Sequence, residues 1–171
     1  MNKQDINILG KEDAFKLIGK EWMLVTAGTA EKFNTMTASW GGVGILWNKP
    51  VAFVFIRPER YTHEFIEEND RLTLSFYGEE YRKALQICGT KSGRNIDKVK
   101  ETGLTPYPLE SGAMTFSEAR LTLDCRKLFK SEMEACHFID QTIIPQHYNE
   151  KSGGYHSMYI VEIEEIYTNQ E

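Results

Sequence analysis

Hydrophobic and polar positions along this chain follow mostly the short periods that are typical of β-strands. Val51–Ile56 is a continuous apolar run between two prolines, which predicts a strand buried on both faces. Arg71–Phe76 alternates with a period of two residues. The longer segments Ala119–Phe129 and Tyr155–Tyr167 also alternate over much of their length. The pattern therefore predicts strands in the middle and at the end of the chain.

Two more strands are predicted nearer the N-terminus, over Trp22–Thr29 and Asn34–Trp40, and the glycines at 41, 42 and 44 predict a tight turn after the second. Short helices are expected between the strands. They are Lys11–Ile18, His63–Glu68 with Thr62 as its N-cap, Tyr81–Ile87, one near Ile96–Glu101 and one around Phe138–Gln146. Because strand and helix do not alternate regularly, the fold class is mainly β with short helices, an antiparallel barrel or sandwich.

Composition adds limits to this prediction. The 171 residues, 41% hydrophobic and 26% charged, fit a single domain over 1–171. The net charge of -5, with the lysines and arginines dispersed, argues against nucleic acid as a partner. No apolar run is long enough to span a membrane and the N-terminus does not resemble a signal peptide, so we expect a cytoplasmic protein with no membrane partner.

Cysteine and histidine spacing suggests neither a disulfide framework nor a metal site. Cys88, Cys125 and Cys136 show no paired spacing, so we expect reduced thiols. Cys125 is expected in the core, and Cys88 in a polar loop. The histidines other than His156 share no ligand spacing, and no metal is predicted.

Three polar clusters stand at the ends of predicted strands. The first is Asn34–Ser39, whose hydroxyls and amide are also explained by the preference of threonine for strands. The second is Arg57–Thr62, where two guanidiniums near a helix N-terminus could cradle a phosphate, or could pair with nearby glutamates on the surface. The third is Cys88–Arg94 with Lys98, which is either an anion-binding loop or a solvated turn. The usual glycine-rich nucleotide loops are absent from the sequence.

In combination these clusters resemble a known family. The order NTMTASW, IRPERYT and CGTKSGRNIDK resembles the flavin reductase-like family, including the flavoredoxins, and EARLTLDC and YHSMYIVEIEEI look like the later strands of that family. The resemblance covers nearly the whole chain. It implies a Greek-key split β-barrel of the FMN-binding type, which forms a homodimer and holds FMN close to the subunit interface.

The same resemblance assigns residues to the cofactor. Thr35–Trp40 would lie along the isoalloxazine and ribityl chain, Arg57, Tyr61 and Thr62 would hold the phosphate, and Ser92–Arg94 with Lys98 would close over it from a mobile loop. The predicted cofactor contacts are Asn34, Thr35, Met36, Thr37, Ala38, Ser39, Trp40, Arg57, Arg60, Tyr61, Thr62, Cys88, Gly89, Ser92, Gly93, Arg94 and Lys98.

Three residue assignments leave alternatives open. His156 stands where related sequences carry a histidine at the start of the last long strand, so it is a candidate nicotinamide contact or a hydrogen-bonded structural residue. Trp40 and Trp47 flank the predicted glycine turn and could line the flavin site or pack at the barrel end, and packing is expected for Trp47. Glutamates 162, 164 and 165 are expected at a solvent-facing strand edge or in a dimer contact.

The function predicted from the resemblance is that of an FMN-dependent oxidoreductase. NADH, NADPH or a small electron-transfer protein would reduce bound FMN, which would pass its reducing equivalents to free flavin or to a protein acceptor. One alternative is a carrier that holds FMN and exchanges electrons without nicotinamide turnover. The other is a dimeric scaffold that has lost its flavin.

Overall fold

The computed structural model of the protein describes residues 1–169. The strands are β1 (Asn2–Gln4), β2 (Met23–Gly28), β3 (Phe33–Ala38), β4 (Gly41–Leu46), β5 (Lys49–Ile56), β6 (Arg71–Phe76), β7 (Pro106–Pro108), β8 (Met114–Phe116), β9 (Leu121–Glu132) and β10 (Ser157–Thr168). The α-helices are α1 (Ala14–Lys16), α2 (Tyr61–Glu68), α3 (Arg82–Thr90), α4 (Lys98–Thr102) and α5 (Ile143–His147). Short 3-10 turns span Ile6–Lys11, Glu79–Tyr81 and Ala135–His137, and a π-helical turn spans Leu17–Glu21.

One antiparallel sheet dominates the fold, in the order β3-β2-β6-β9-β10-β5-β4, with β1 paired to the end of β10. The sheet is strongly curved, because Met36 on β3 and Val54 on β5 pack in the same core although their strands lie near opposite ends of the strand order. Within residues 1–169, β3 and β4 do not pair with each other, and the chain passes between them at Ser39 and Trp40. The predicted fold class, a mainly β split barrel, is confirmed.

The core confirms the strand prediction for the most apolar segment. Val51, Ala52, Val54 and Ile56 of β5 are buried, and the intervening phenylalanines are half-buried. Tyr159 of β10 is the largest of the fully buried side chains. Burial of these apolar side chains supplies the main favourable free energy of folding.

The predicted turn at glycines 41, 42 and 44 is wrong, because this segment forms strand β4. Gly41 begins the strand at φ 153°, where a Cβ would lie 2.6 Å from the carbonyl oxygen of Phe53. The turn comes instead at Trp47 and Asn48, with φ values of 53° and 57°, and Leu46 pairs with Lys49 across it. Two successive positive φ values match the twist of a tight two-residue hairpin. Trp47 is consequently exposed at the hairpin tip, where its ring lies 6.4 Å from that of Phe129.

Helix boundaries also differ from the predictions. The expected N-terminal helix is divided into a 3-10 turn, the short α1 capped by Asp13, and the π turn. Helix α3 continues to Thr90, so Cys88 lies on a helix and is fully buried, not in a polar loop. The later helical segments are shorter than predicted, α4 over Lys98–Thr102 and α5 over Ile143–His147.

The C-terminal glutamates belong to an inner strand, because β10 pairs with β9 on one side and, on the other, with β5 as far as Glu162 and with β1 from Ile166. Glu162 and Glu164 both pair with Arg126 of the neighbouring strand, at 2.6 Å each, and Glu165 pairs with Lys3 of β1. These carboxylates therefore form cross-strand ion pairs, which contribute little stability each when exposed. In the part of the chain described, no helix is long and apolar enough to cross a membrane.

Candidate functional site

A groove opens where the C-terminal end of β3 meets the N-terminus of α2 and the C-terminus of α3. It consists of two adjoining cavities of about 180 and 210 Å³, and Arg60 lies in the wall of both. The first cavity is lined by Met36, Thr37, Ala38, Ser39, Trp40, Phe55, Arg57, Arg60 and His156. The second is lined by Glu59, Arg60, Tyr61, Thr62, Gly89, Thr90, Lys91, Ser92 and Lys98.

Arg60 and Lys98 are the central cations of the groove. Both donate to the carbonyl oxygen of Cys88, Arg60 at 3.3 Å and Lys98 at 3.0 Å, and Lys98 also donates to that of Thr35 at 2.7 Å. Within residues 1–169 neither forms an ion pair with a carboxylate. Lys98 is buried and Arg60 is half-buried, and both have only carbonyl partners in the described structure. An anionic ligand would fit them, because it would replace the stabilising hydration that the two charges lose on burial.

Burial also changes the ionisation of this part of the groove. It lowers the pKa of Lys98 to about 8, and it lowers the pKa of Arg60 as well. Burial raises the pKa of the Cys88 thiol to about 11, although the two cations oppose that shift. The thiol is therefore neutral at ordinary pH and does not balance the charge of the two cations.

Helix α2 contributes backbone donors. It begins at Tyr61 with Arg60 as its N-cap, and among residues 1–169 no side chain caps its first turn. Thr62, expected as the N-cap, lies inside the first turn and is buried. Its hydroxyl oxygen accepts a hydrogen bond from Nδ2 of Asn34 at 2.8 Å. The N–H of His63 in the first turn donates to the carbonyl oxygen of Arg60 at 2.9 Å, which leaves the N–H groups of Tyr61 and Thr62 for a ligand. Free first-turn N–H groups bind anions well.

Thr35, Met36 and Thr37 of the first predicted cluster stabilise the fold. The hydroxyls of Thr35 and Thr26 are 2.8 Å apart across the β2–β3 pair, and Met36 is part of the core. Thr37 donates to the carbonyl oxygen of Leu85 on α3, which ties β3 to that helix. The outer residues Ser39 and Trp40 are left to face the groove.

Arg57 does not lie with Tyr61 and Thr62 as predicted, because it lines only the first cavity. Its guanidinium donates to the carbonyl oxygens of His147, at 2.9 Å, and Gly154. It also lies 5.1 Å from the ring centre of Tyr148. Arg57 therefore holds the segment between α5 and β10 against the barrel.

The third predicted cluster is divided between two places. Gly89 and Ser92 line the groove, whereas Gly93 lines a neighbouring cavity of about 400 Å³ between β3, α2 and α4. A Cβ at Gly93 would lie 2.1 Å from Oδ1 of Asn34, so the loop approaches β3 as closely as a glycine allows. Arg94 pairs with Glu64 and its guanidinium lies 4.7 Å from the ring centre of Tyr61.

His156 is buried in the wall of the first cavity. Its Nδ1 is 3.0 Å from the hydroxyl of Tyr148, and its ring centre is 5.5 Å from that of Trp40. Burial, together with the charge of Arg57, lowers the pKa of His156 to about 4. The imidazole is therefore neutral at physiological pH and can act as a hydrogen-bonding and packing surface beside a flat ligand.

Several residues of the groove were not predicted. Phe55 belongs to the apolar run of β5, where the sequence does not distinguish a core residue from a groove residue. Tyr148 does not line the groove itself but contacts His156 in its wall, through a tertiary contact that no local pattern reveals. Thr90 and Lys91 lie inside the predicted Cys88–Arg94 cluster but were not among the predicted cofactor contacts.

The fold and the groove together define a split-barrel protein with a groove lined by cations and aromatic side chains. A family model described as a flavin reductase like domain matches residues 15–171. The chain therefore belongs to the flavin reductase-like family, a family of flavin-binding oxidoreductases, as the sequence motifs predicted.

Solved structures agree with this assignment at the level of the fold. A flavoredoxin from Methanosarcina acetivorans is 23% identical with a TM-score of 0.66, over 88% of this chain and 69% of that chain. An FMN-binding domain of a flavin reductases-like enzyme from Shewanella baltica is 15% identical with a TM-score of 0.69, over 98% and 76%. An NADH:FAD oxidoreductase from Streptomyces globisporus is 16% identical with a TM-score of 0.63, over 87% and 75%. A search of curated proteins found no match.

Proposed function

We propose that this protein binds FMN in the groove and passes hydride or electrons through it. The phosphate would lie in the second cavity, against Arg60, Lys98 and the first N–H groups of α2. The observation that carries this proposal is the pair of desolvated cations whose hydrogen-bond partners are carbonyl oxygens. Guanidinium and ammonium groups are common partners of phosphate, and a helix N-terminus adds to the positive potential.

The flavin ring would occupy the first cavity. Trp40, Phe55 and the neutral His156 offer a wall of aromatic surface, and the end of β3 offers backbone groups for the polar edge of the ring. Each cavity alone is smaller than the roughly 300–1,000 Å³ of a typical small-molecule site, so the ligand would need both. When bound, the flavin supplies the redox chemistry. The protein binds the phosphate, orients the ring and keeps an uncharged histidine beside it.

We choose FMN over FAD on the size of the groove. FMN ends at one phosphate, which the second cavity could hold. Relatives differ on this point, since the names of the similar structures include both FMN-binding proteins and an NADH:FAD oxidoreductase. Titration of the purified protein with FMN and with FAD tests the choice: tighter binding of FMN supports it, and tighter binding of FAD would refute it.

The electron donor we propose is NADH or NADPH, with His156 as a contact for the nicotinamide. The location of the buried neutral imidazole in the wall of the first cavity supports this role. A small electron-transfer protein is the alternative donor, which would make this protein a carrier. Anaerobic mixing of the FMN-loaded protein with each nicotinamide separates the two: stoichiometric oxidation of either supports a reductase, and no oxidation of both supports a carrier.

We also propose a homodimer. Apolar side chains remain exposed around the β4–β5 hairpin: Ile45 is 74% exposed, Trp47 55% and Phe129 43%. Clustered apolar surface of this kind is typical of an interaction site. A second copy covering this surface would bring two barrels together. Analytical ultracentrifugation tests this proposal, for which a monomer at micromolar concentration is the contradicting result.

A further inference from the structure

A hydrogen bond between two side chains links the wall of the first cavity to the segment that precedes β10. The hydroxyl of Tyr148 lies 3.0 Å from Nδ1 of His156, and the imidazole of His156 lines that cavity. In a neutral imidazole one ring nitrogen carries a proton and the other accepts a hydrogen bond. The partner of Nδ1 therefore determines whether the second nitrogen, Nε2, is a donor or an acceptor.

The hydroxyl proton of Tyr148 has two acceptors within reach. They are Nδ1 of His156 at 3.0 Å and Sδ of Met133 at 3.4 Å. A thioether sulfur is a weak acceptor, whereas an unprotonated imidazole nitrogen accepts readily. Burial raises the pKa of Tyr148 and lowers the pKa of His156 to about 4, so the hydroxyl keeps its proton and the imidazole is neutral. Donation from Tyr148 to Nδ1 then leaves the proton of the imidazole on Nε2.

Nε2 of His156 is accessible to a ligand. It forms no hydrogen bond within residues 1–169, and yet it is not one of the buried unpartnered polar atoms of that part of the chain. The nearest rings at the first cavity are those of Trp40, with its centre 5.5 Å from the imidazole, and Phe55, at 6.5 Å. Neither side chain carries a hydrogen-bond acceptor. Because Nδ1 bonds to Tyr148, Nε2 is the ring nitrogen that is left for a ligand in this cavity.

The ring of Tyr148 is itself held in place by its neighbours. Its centre lies 5.5 Å from that of Phe138 and 5.0 Å from that of Tyr155. The guanidinium of Arg57 lies 5.1 Å from the same ring centre, and it donates to the carbonyl oxygen of the preceding residue, His147, at 2.9 Å. Stacked aromatic rings and a cation–π contact restrain the ring. The hydroxyl of Tyr148 is therefore kept at Nδ1 of the histidine.

We propose that Tyr148 is a positioning residue, which holds His156 in the Nε2–H form so that Nε2 donates a hydrogen bond to a carbonyl oxygen of the ligand in the first cavity. The identity of that ligand rests on the proposed flavin function, whereas the state of the imidazole does not. Both molecules proposed for this cavity carry such an oxygen, the flavin on its ring and the nicotinamide on its carboxamide. The opposite tautomer would present an acceptor and would favour an N–H group of the ligand.

The first test is the tautomer of His156 in the FMN-free protein at neutral pH. It is read from the nitrogen chemical shifts of the imidazole in a long-range nitrogen–proton NMR correlation spectrum, with the signals assigned by their loss in His156→Gln. The Nε2–H form is expected in the wild type. Tyr148→Phe removes the donor, so the Nδ1–H form should become populated. Tyr155→Phe is the matched control, because it removes the same group from the neighbouring ring, where the hydroxyl forms no hydrogen bond among the described residues.

The second test identifies the source of the carbonyl oxygen. Tyr148→Phe should weaken binding of the molecule that accepts from Nε2 by about 2- to 10-fold, the effect of one hydrogen bond. A raised dissociation constant of FMN would identify the flavin. A raised KM for NADH or NADPH at unchanged FMN affinity would identify the nicotinamide. Tyr155→Phe should leave both quantities as in the wild type.

Three results would overturn the proposal. They are an Nδ1–H imidazole in the wild type, a tautomer that Tyr148→Phe does not alter, and unchanged FMN affinity and KM in that variant. The wild-type tautomer is informative even if Tyr148→Phe does not fold. Because the tautomer is measured without FMN, its outcome is separate from a failure of the groove to bind flavin.

Discussion

Arg60 is the residue whose replacement should weaken FMN binding most clearly. It lines both cavities of the groove, is half-buried, and bonds only to a backbone carbonyl oxygen in the described structure. Hydrogen bonds to charged groups contribute about 1.5–3 kcal/mol each. Arg60→Gln removes the charge and one such contact to the phosphate. The dissociation constant of FMN should therefore rise by about 10- to 150-fold.

The assay is quenching of flavin fluorescence during titration with protein at fixed ionic strength, since charge contacts depend on salt. Lys83→Gln is the control, because it removes the same single charge from an exposed position that lines neither cavity. Stability should change little in Arg60→Gln, since burial already disfavours the charged form of that residue, as its lowered pKa indicates. The melting temperature of the FMN-free variant should stay within about 4 °C of the wild type.

Comparison with Arg57→Gln tests which cavity holds the phosphate. Arg57 holds the segment before β10 through the carbonyl oxygens of His147 and Gly154, so its loss should affect that segment more than the phosphate. FMN affinity should fall less in Arg57→Gln than in Arg60→Gln. FMN binding by Arg60→Gln within about twofold of the wild type, or a larger effect of Arg57→Gln, would contradict this position of the phosphate.

Three further predictions concern titration and packing. In FMN titrations at several pH values, the affinity of the wild type should fall as the pH rises above about 8, because free Lys98 has a pKa of about 8 and loses its proton there. Lys98→Met should show no such dependence. A wild-type affinity that does not change with pH would contradict this prediction. The proton resonances of the His156 ring should titrate near pH 4 by NMR, and a midpoint above about 6 would show that the ring is not buried as described. Gly93→Ala should lower the free energy of unfolding, measured in urea, by about 1–3 kcal/mol, because its Cβ would contact Asn34. Gly44→Ala has nothing within 4 Å of its added Cβ and should lower this free energy less. Equal losses in the two variants would contradict the close approach of Gly93 to Asn34.

The strand framework follows from local pattern, because burial imposes a period of two on a half-buried strand and a continuous apolar run on a fully buried one. This is why Val51–Ile56 and Arg71–Phe76 were predicted closely. Strand β4 was missed because its three glycines favour turns by local propensity. Pairing with β5 outweighs that propensity, and Gly41 is needed where Phe53 approaches it.

The sequence predicted several residues of the groove but not how they are arranged. Motif positions led to Arg60, Tyr61 and Lys98, and the structure brings these together at one cavity. Arg57 was assigned to the phosphate with its neighbours, but β5 ends there and its side chain turns towards Gly154, 97 residues along the chain. Contacts at that sequence separation leave no local signal, so sequence alone could not assign them.

The most direct test of the account is an absorbance titration of the purified protein with FMN, followed by addition of NADH or NADPH under nitrogen. We expect the flavin bands to shift as FMN binds and then to bleach with one of the two donors, and the shift to require far more FMN in Arg60→Gln. Bands that shift but never bleach would support the carrier in place of the reductase. No shift at any FMN concentration would contradict the central claim, that this groove binds the flavin.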